Sequence, residues 1–482
     1  MKIAGLDVGT TGCKLTVFDE NGRRLARAYR DYPSRRMGET VIDASAISDA
    51  VFGVIGEIAK EHPDLSGIGV TSFGETFVLT DGDGRPLSES MLYTDPRGAE
   101  ECADLCRILG EKRITETTGL FPHSMYSLPK LMWIKKHRPD VFRAAKHCFL
   151  MEDYVVYLLT GRAVTEYSLA SRTMAFDIRK CRFDGELLSA AGIDPSIMPE
   201  PIPTGTPAGK IRPGITELFP DTVIVPAGHD QIAAAVGAGA FDSSVAVDGA
   251  GTVQCLTPVY DSLPNIEVMA KGYFSVVPYV IPGKYVAYAF SYTGGELVRW
   301  CAETLGEGKT IESLDAAFAG DGPTGLLVLP HFAGAATPYM DSGSKGAIVG
   351  LTAATTLPEI FRACREGVVY EMKLNLEAMK GSGISFEKLR ATGGGAKSSV
   401  WMQMKADVLG LPMTTLDIPD AGTVGSAMQT GVAAGVFDSL SHAAGIMVRE
   451  TGTYFPRREM TEKYSEVYER YRRLYSAVRP LV

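Results

Sequence analysis

Short apolar stretches separated by turns of glycine and threonine open both halves of this chain. Near the start, Lys2–Leu6 is followed by such a turn and by a second strand-like stretch, Lys14–Phe18. The same order returns at mid-chain, where Val245–Val247 leads through a glycine-rich turn into Val253–Thr257. Two strand-like stretches joined by a short turn of this kind predict a β-hairpin in each half.

Strand and helix patterns alternate along the rest of the chain. Strand-like stretches are Arg24–Arg30, 67–72, 76–80 and Val223–Val225, and stretches with helical spacing are 44–62, Lys130–Gly161 and Ile232–Gly239. The first of these strands extends the N-terminal hairpin into a three-stranded meander. Strands and helices mixed in this order predict an α/β fold.

Four tyrosines near the C-terminus recur at helical spacing. They are Tyr464, Tyr468, Tyr471 and Tyr475. The simplest interpretation is the buried face of a final amphipathic helix, and a contact with another subunit is the alternative.

The hairpin pattern restarts near Phe241 and Asp242, and we place a domain boundary there. A chain of 482 residues is long enough for several domains. We therefore predict an N-terminal lobe over 1–241 and a C-terminal lobe over 242–482, which ends in the final helix.

Composition restricts the classes of partner. The net charge is −9, and no long run of Lys or Arg occurs, so we expect no nucleic-acid partner. No stretch of 18 uncharged apolar residues suggests a membrane span. The eight cysteines are scattered without a C-x-x-C pair, which is typical of reduced thiols and predicts a cytoplasmic protein. The sequence is compatible with a homodimer and does not determine the oligomeric state.

The two hairpin turns have the composition of phosphate-binding loops. Glycine exposes backbone N–H groups, threonine adds hydroxyls, and both residue types occur in 9–12 and in 249–252. One such turn in each half suggests a duplicated architecture that holds a polyphosphate from both sides.

Two charged residues flank the first turn. Asp7 ends the first strand and is a candidate ligand for Mg²⁺, which in proteins takes one or two carboxylates and keeps several waters. A carboxylate that caps the turn is the alternative for Asp7. Lys14 begins the second strand, where it would add positive charge to the same site or be a solvated strand residue.

Asp230 is the candidate general base. It follows the strand at 223–225 and precedes the helix of small residues, so it lies at a strand-to-helix junction where a carboxylate can face a cleft. An Asp that caps the N-terminus of this helix is the alternative.

These motifs occur in the order found in the FGGY family of carbohydrate kinases, and the whole chain resembles that family. The segments that carry the resemblance are 7–11 for the first phosphate loop, 125–137 for the first family signature, 346–366 for the second signature, and 392–396 with Trp401 and Asp407 for the adenosine side. The second signature departs from the family pattern at Cys364 and Arg365. Within the family, the chain is similar to xylulokinases, with glycerol kinases and fuculokinases as relatives.

The resemblance implies a duplicated actin-like ATPase fold, also called ribonuclease H-like, with two lobes and an interdomain cleft. It implies transfer of phosphate from ATP, with Mg²⁺, to a sugar or polyol. Asp230 falls at the general base. The positions implied for ATP are Thr10, Thr11, Lys14, Gly251, Thr252, Gly295, Gly395, Ala396 and Ser399. Arg299 stands where glycerol kinases have Gln.

The acceptor positions depart from each subfamily. Glycerol kinases carry Arg-Glu where this chain has Gly74 and Glu75. Glu75 can accept hydrogen bonds from sugar hydroxyls, and Gly74 is expected to leave space for an acceptor larger than glycerol. Tyr93 is a candidate aromatic wall and Asp95 a further acceptor group, while Gln231 beside the base resembles glycerol and deoxysugar kinases.

We therefore expect a kinase for a ketopentose such as xylulose or ribulose. A deoxyketose such as fuculose, or a tetritol, is the alternative substrate. An actin-like ATPase without a sugar substrate is the alternative from another class, and a sugar-sensing relative without catalysis is a third. The presence of Asp7, Asp230 and both loops favours the kinase.

Overall fold

A computed structural model describes residues 1–32, 40–318, 320–418 and 420–482. These residues divide into two compact units. Unit 1 contains Met1–Phe241, Val276–Val286 and Asp420–Val448, and unit 2 contains Asp242–Ser275, Ala287–Pro419 and Arg449–Val482. The boundary at 241/242 stays a prediction of domain organisation, and the segment 420–448, assigned above to the C-terminal lobe, packs within unit 1.

Strands and helices alternate over the first 241 residues. The strands are β1 Lys2–Val8, β2 Gly12–Asp19, β3 Arg24–Asp31, β4 Val41–Ile42, β5 Leu65–Ser72, β6 Phe77–Thr80, β7 Ser90–Met91, β8 His147–Leu150, β9 Val164–Glu166, β10 Phe176–Asp177, β11 Arg182–Phe183, β12 Glu200–Ile202, β13 Gly209–Lys210 and β14 Val223–His229. The helices are α1 Ala44–Glu61, α2 Ala99–Leu109, α3 Glu111–Thr118, α4 Ser127–His137, α5 Pro139–Ala144, α6 Met151–Thr160, α7 Tyr167–Ser171, α8 Gly185–Ala191 and α9 Asp230–Gly237.

The same alternation continues to the C-terminus. The strands are β15 Val245–Ala250, β16 Gln254–Tyr260, β17 Ser275–Pro278, β18 Tyr285–Ser291, β19 Leu327–Leu329, β20 Ala347–Val349, β21 Lys388–Thr392, β22 Met413–Leu416 and β23 Glu450–Tyr454. The helices are α10 Ile266–Lys271, α11 Gly295–Leu305, α12 Ile311–Ala317, α13 Leu357–Ala378, α14 Ser399–Leu409, α15 Ala421–Ala433, α16 Leu440–Met447, α17 Arg458–Tyr471 and α18 Leu474–Val478. Within the described ranges, none of the helices combines the length and apolarity needed to cross a membrane.

The main sheet of unit 1 has six strands in the order β13-β14-β5-β1-β2-β3. β1, β2 and β3 form an antiparallel meander, which confirms the predicted first three strands. β5 and β14 then add in parallel, which places the carboxyl ends of β1, β5 and β14 at one edge of the sheet. Helix α1 covers β2 and β3 with an apolar face that includes Ile47, Val51 and Ile55.

The second large sheet repeats this plan. Its strand order is β17-β18-β16-β15-β21-β22-β23, and β15, β16, β21, β22 and β23 belong to unit 2. The antiparallel hairpin β15–β16 corresponds to β1–β2, and β21 and β22 then add in parallel, as β5 and β14 do in unit 1. The predicted second hairpin and the predicted duplicated α/β fold are therefore confirmed.

Helix α15 packs on the β1–β5 part of the first sheet at very short range. A Cβ atom at Gly5 of β1 would overlap the carbonyl oxygen of Thr423, and a Cβ atom at Gly69 of β5 would overlap that of Ser426. Because glycine has no side chain, the helix backbone can lie directly on the sheet.

Helices α9 and α15 cross equally closely within unit 1. A Cβ atom at Gly425 of α15 would overlap the carbonyl oxygen of Ala233, and one at Gly237 of α9 would overlap the carbonyl oxygen of Ala421. The small residues that the sequence placed after Asp230 therefore serve a backbone-to-backbone helix contact.

Three of the four C-terminal tyrosines line the buried face of α17, which confirms the prediction for these three. Tyr464, Tyr468 and Tyr471 are each at most 2% exposed, and their rings pack around Tyr370 of α13. Tyr475 lies beyond α17, in α18, and stacks on Tyr339.

We predict that Gly425→Ala destabilises the protein, because the added methyl group must push α15 away from α9. Overpacking of this kind costs about 1–3 kcal/mol, or roughly 2–12 °C in Tm. Gly56→Ala in α1 is the matched control, because a Cβ atom there meets no atom of the described residues within 4 Å. Thermal unfolding should give a Tm for Gly56→Ala at or above that of the parent, since alanine favours a helix. An unchanged Tm for Gly425→Ala would contradict the close contact.

Candidate active site

The first hairpin holds a three-residue ion cluster in unit 1. Asp7 of β1 lies directly opposite Lys14 of β2 in the strand register. Lys14 Nζ lies 3.0 Å from Asp7 Oδ2 and 2.6 Å from Asp420 Oδ2. Asp420 also caps α15, where its side chain accepts a hydrogen bond from the Thr423 backbone N–H at 3.3 Å. Lys14 is therefore ion-paired, and the interpretation of a merely solvated strand residue is wrong.

Burial and neighbouring charges shift both sides of this cluster. Burial raises the pKa of Asp7 to about 6, with Lys14 opposing the shift and Asp420 and Asp230 adding to it. Burial alone would lower the pKa of Lys14, but its two carboxylate neighbours raise it overall. Lys14 therefore stays cationic beside a turn that the sequence predicts to bind phosphate.

The turn between β1 and β2 joins the two strands that carry Asp7 and Lys14. The Gly9 N–H donates to the Gly12 carbonyl at 3.0 Å, and the Tyr32 N–H donates to the Thr11 carbonyl at 3.0 Å. Thr11 is exposed and Thr10 is half-buried. The turn has the predicted shape, and its contact with phosphate stays a prediction.

Asp230 is the first residue of α9, at the carboxyl end of β14. The preceding residue, His229, caps the helix instead: its Nδ1 accepts from the Gln231 backbone N–H at 3.3 Å. Asp230 therefore lies inside the first turn of the helix, and the alternative in which it is the N-cap is wrong.

The Asp230 carboxyl group is suited to accept a proton. About a third of its side chain is exposed, at 36%, while Oδ1 is shielded from solvent and, among the described residues, accepts no hydrogen bond. Burial raises the pKa of Asp230 to about 6, opposed by hydrogen bonds from Gln231 and by the charges of Arg172 and Lys14. Burial and Arg172 lower the pKa of neighbouring His229 to about 3, so that ring is neutral.

Glu75 forms a buried ion pair next to this junction. Arg172, just after α7, donates from Nε to Glu75 Oε1 at 2.6 Å, and its Nη2 donates to the same oxygen. The guanidinium also lies over the Tyr126 ring, 5.2 Å from its centroid. Glu75 has a φ of +64°, a left-handed conformation that non-glycine residues adopt mainly where the surrounding structure enforces it.

The expected space at Gly74 is absent. A Cβ atom at this position would lie 2.7 Å from His229 Cδ2 and 3.3 Å from Arg172 Cγ. Two side chains from distant segments fill the volume that the sequence left open. The inference of a larger acceptor from this glycine is therefore wrong.

The other predicted acceptor residues differ in what they offer. Tyr93 is 37% exposed, and Gln231 lies in the first turn of α9. Asp95 is buried, and its two carboxylate oxygens already accept three hydrogen bonds from Arg97 and one from Thr40. Its role as a sugar contact stays a prediction, and these bonds count against it.

A cavity of about 910 Å³ lies within unit 2 beside the second hairpin. Five predicted nucleotide-side residues line it, namely Gly251, Thr252, Gly295, Gly395 and Ser399. Ala396 belongs to the short 3₁₀ turn Gly394–Lys397, and its neighbours on both sides line the cavity. Arg299 lines it as well. The volume is in the range of ligand pockets, but nucleotide binding at these residues stays a prediction.

Glycine allows backbone segments to meet around this cavity. The Gly295 N–H donates to the Gly251 carbonyl at 2.9 Å, which ties the start of α11 to the second turn. A Cβ atom at Gly395 would lie 2.8 Å from Trp401 Cζ3 and 3.0 Å from Ala250 Cβ.

A buried ion pair between Lys405 and Asp248 links helix α14 to the second hairpin. Lys405 of α14 lies 2.6 Å from Asp248 Oδ2 and 3.0 Å from Gln254 Oε1, one contact on each strand of the hairpin. Both charged side chains are fully buried. Removing one partner of such a pair is strongly destabilising, so the pair is a rigid support for the turn. Sequence analysis missed it, because Lys405 has no local signal that distinguishes it from a surface lysine.

The described residues could bind Mg²⁺ through one carboxylate, which is the arrangement expected when the ion is also bound to substrate phosphates. Within the described ranges, no three His, Cys, Asp or Glu side chains gather into a site that would hold a metal alone. Mg²⁺ commonly takes one or two carboxylates and completes its shell with water and substrate phosphates. Asp7 supplies such a carboxylate beside a candidate phosphate loop.

Comparison with known proteins agrees with this arrangement. Residues 2–237 match the N-terminal domain and residues 250–434 the C-terminal domain of the FGGY family of carbohydrate kinases. A xylulose kinase of Lactococcus lactis is 26% identical over 98% of this chain and 96% of its own length. A glycerol kinase of Halorhodospira halophila is 33% identical over 92% of this chain and 90% of its own length.

A solved structure shows the same fold. The crystal structure of a xylulose kinase from Rhodospirillum rubrum superposes with a TM-score of 0.89 at 24% identity, covering 100% of this chain and 99% of that one. With both family domains matched over most of its length, this chain belongs to the FGGY family of carbohydrate kinases, enzymes that use ATP with Mg²⁺ to phosphorylate an alcohol group of their substrate.

Proposed function

We propose that this kinase phosphorylates a hydroxyl group of an uncharged ketose or polyol, with Asp230 as the general base. The observation that carries the proposal is the carboxyl group of Asp230, partly exposed at the start of α9 with a pKa raised to about 6. Such a group is deprotonated at neutral pH yet basic enough to accept a proton.

The acceptor would bind beside the Glu75–Arg172 ion pair. This pair is nearly buried and balances its own charge, which favours an uncharged substrate over a sugar acid. Glu75 would accept hydrogen bonds from hydroxyl groups, and Arg172 would donate to a hydroxyl or carbonyl oxygen. Gln231 and Tyr93 would add a polar and an aromatic contact.

In unit 1, phosphate would be bound by the turn at 9–11 with Lys14. The turn at 9–11 carries backbone N–H groups and threonine hydroxyls between the strands of Asp7 and Lys14, and Gly251 and Thr252 line the cavity of unit 2. Mg²⁺ held by Asp7 would neutralise charge on the phosphate oxygens. Asp230 would accept the proton of the attacking hydroxyl as its oxygen bonds to phosphorus and the bond to the departing ADP breaks.

Two classes of acceptor substrate have the most support and should be tested first. Ketopentoses such as xylulose or ribulose are supported by the xylulose kinase relatives, which align over nearly the whole chain. Glycerol is the second candidate, because the volume at Gly74 is filled and a glycerol kinase relative reaches 33% identity. Deoxyketoses and tetritols remain alternatives. A cytoplasmic location and a homodimer stay predictions.

We predict acceptor-dependent release of ADP with at least one member of a panel of xylulose, ribulose, fuculose, erythritol and glycerol. A coupled assay with each compound at saturating Mg-ATP measures it. The value of kcat/KM for the true substrate should be at least tenfold higher than the values for the other panel members. A hydrogen-bonding site discriminates strongly against poorly matched hydroxyl groups. Turnover at the ATPase background with every member would refute an uncharged sugar or polyol acceptor.

Asp230→Asn should lower kcat by about 10²–10⁴, because the amide cannot accept the hydroxyl proton. The shape of the side chain is kept, so Tm and ADP affinity should stay near the parent values. Asp140→Asn is the matched control, an exposed Asp in the first turn of α5, and it should keep full activity. A near-normal kcat for Asp230→Asn would remove this residue from the role of base.

The acid limb of the pH profile should reflect the raised pKa of Asp230. The deprotonated form is the active one, so kcat/KM for the acceptor should rise with pH through about 6 and level off above 7. At pH 5 it should be about a tenth of the plateau, as expected for one group with a pKa of about 6. A profile that stays flat down to pH 5 would show that Asp230 does not have the raised pKa in the working enzyme.

A further inference from the structure

One wall of the unit 2 cavity carries a charged pair on α12 and α13. Arg365 of α13 is one of the two residues at which the chain departs from the second family signature. It lines the cavity together with Asp315 of α12. Arg365 is only 1% exposed, whereas the Asp315 side chain is 19% exposed. The carboxylate is therefore the member of the pair that a bound molecule can reach.

The guanidinium of Arg365 is held on several sides. Its Nη1 donates to Asp315 Oδ1 at 2.5 Å. Its carbon Cζ lies 4.8 Å from the centroid of the Phe361 ring and 5.6 Å from that of Trp401. A buried planar group that packs on two aromatic rings has little freedom, so the carboxylate bound to it is also restricted in direction.

The second oxygen of Asp315 is available to a ligand. Its Oδ1 is used by Arg365, and Oδ2 accepts no hydrogen bond within the part of the chain that the structure describes. A carboxylate oxygen can only accept hydrogen bonds, so it attracts a donor and repels another acceptor. Asp315 can thus distinguish an amino group from a carbonyl oxygen at the same place.

The position of Asp315 favours the base over the ribose or the phosphates. The second hairpin, with Gly251 and Thr252, offers the groups that suit phosphate. Apolar and aromatic lining comes from Val298 on α11 and Trp401 on α14, and also from Ile311 and Ala316 on α12, the helix that carries Asp315. A flat purine ring matches that surface, and Asp315 lines the same cavity.

We propose that Asp315 selects adenine by accepting a hydrogen bond from its 6-amino group, and that Arg365 is a positioning residue that aims the carboxylate. This inference rests on the proposed nucleotide site in the unit 2 cavity. The 6-carbonyl oxygen of hypoxanthine would face the same carboxylate and be repelled. The protein should therefore prefer ATP to ITP as phosphate donor.

The test compares ATP, ITP and 2′-deoxy-ATP as donors for the parent protein and for Asp315→Asn. The ratio of kcat/KM for ATP to that for ITP should fall at least about tenfold in Asp315→Asn, because a hydrogen bond to a charged group is lost and the amide can donate to the carbonyl. The ratio for ATP to 2′-deoxy-ATP should stay within twofold. Calorimetry with ADP and IDP should give the same change in the ratio of Kd without any turnover.

Glu312→Gln is the matched control. Glu312 lines the same cavity one helical turn before Asp315, so this variant removes the same charge while the Arg365–Asp315 hydrogen bond is kept. Its ATP-to-ITP ratio should equal that of the parent. An equal fall in both variants would assign the effect to the general charge of the cavity and overturn the role of Asp315.

Arg365→Lys and Arg365→Met separate positioning from folding. Lysine keeps a cation near Asp315 and should retain most of the preference for ATP, while methionine should lose it. Because Arg365→Met leaves a buried environment without its charge pair, its Tm is measured alongside, and Asp315→Asn decides the question if this variant does not fold. A preference for ATP that is unchanged in Asp315→Asn and in Arg365→Met would overturn the inference.

The outcomes also separate this inference from the proposed function. If the parent protein binds neither ADP nor IDP, the proposed nucleotide site fails. If it binds ADP and phosphorylates its acceptor but Asp315→Asn keeps the parent ratio, only the role of Asp315 fails. A change in the 2′-deoxy-ATP ratio instead of the ITP ratio would place the carboxylate at the ribose and overturn its role at the base.

Discussion

The close contact between α9 and α15 is the constraint on which the candidate site of unit 1 depends. Gly237 and Gly425 let the two helix backbones meet without intervening side chains. Asp230 begins one helix, and Asp420 caps the other. The contact therefore sets both the candidate base and the carboxylate that holds Lys14. A larger residue at either glycine would push the two helices apart and displace Asp230 and Asp420.

Local chemistry was enough to predict most of the framework. The turns at 9–11 and 251–253 each join two apolar strand-like stretches, and a short turn between two such stretches is typical of a β-hairpin. The helix after Asp230 and the buried tyrosine face of α17 follow from helical periodicity in the same way. The second sheet repeats the first, so a pattern recognised twice in the sequence predicted a duplicated fold.

The contacts that could not be predicted from the sequence join residues that are far apart along the chain. Lys14 has its second carboxylate at Asp420, and Glu75 has its cation at Arg172, 97 residues later. The space expected at Gly74 is filled by His229 and Arg172 for the same reason. Periodicity and turn chemistry report neighbours within a few residues, whereas these contacts are set by how the sheets and helices pack.

The composition of unit 1 bears on how the chain folds as it is made. The β1–β5 face lies ready after about the first seventy residues, but the helix that covers it, α15, is made only after most of unit 2. A growing chain must therefore keep a glycine-lined sheet surface uncovered while the following domain emerges from the ribosome. Final packing of the β1–β5 face thus waits until α15 has been made.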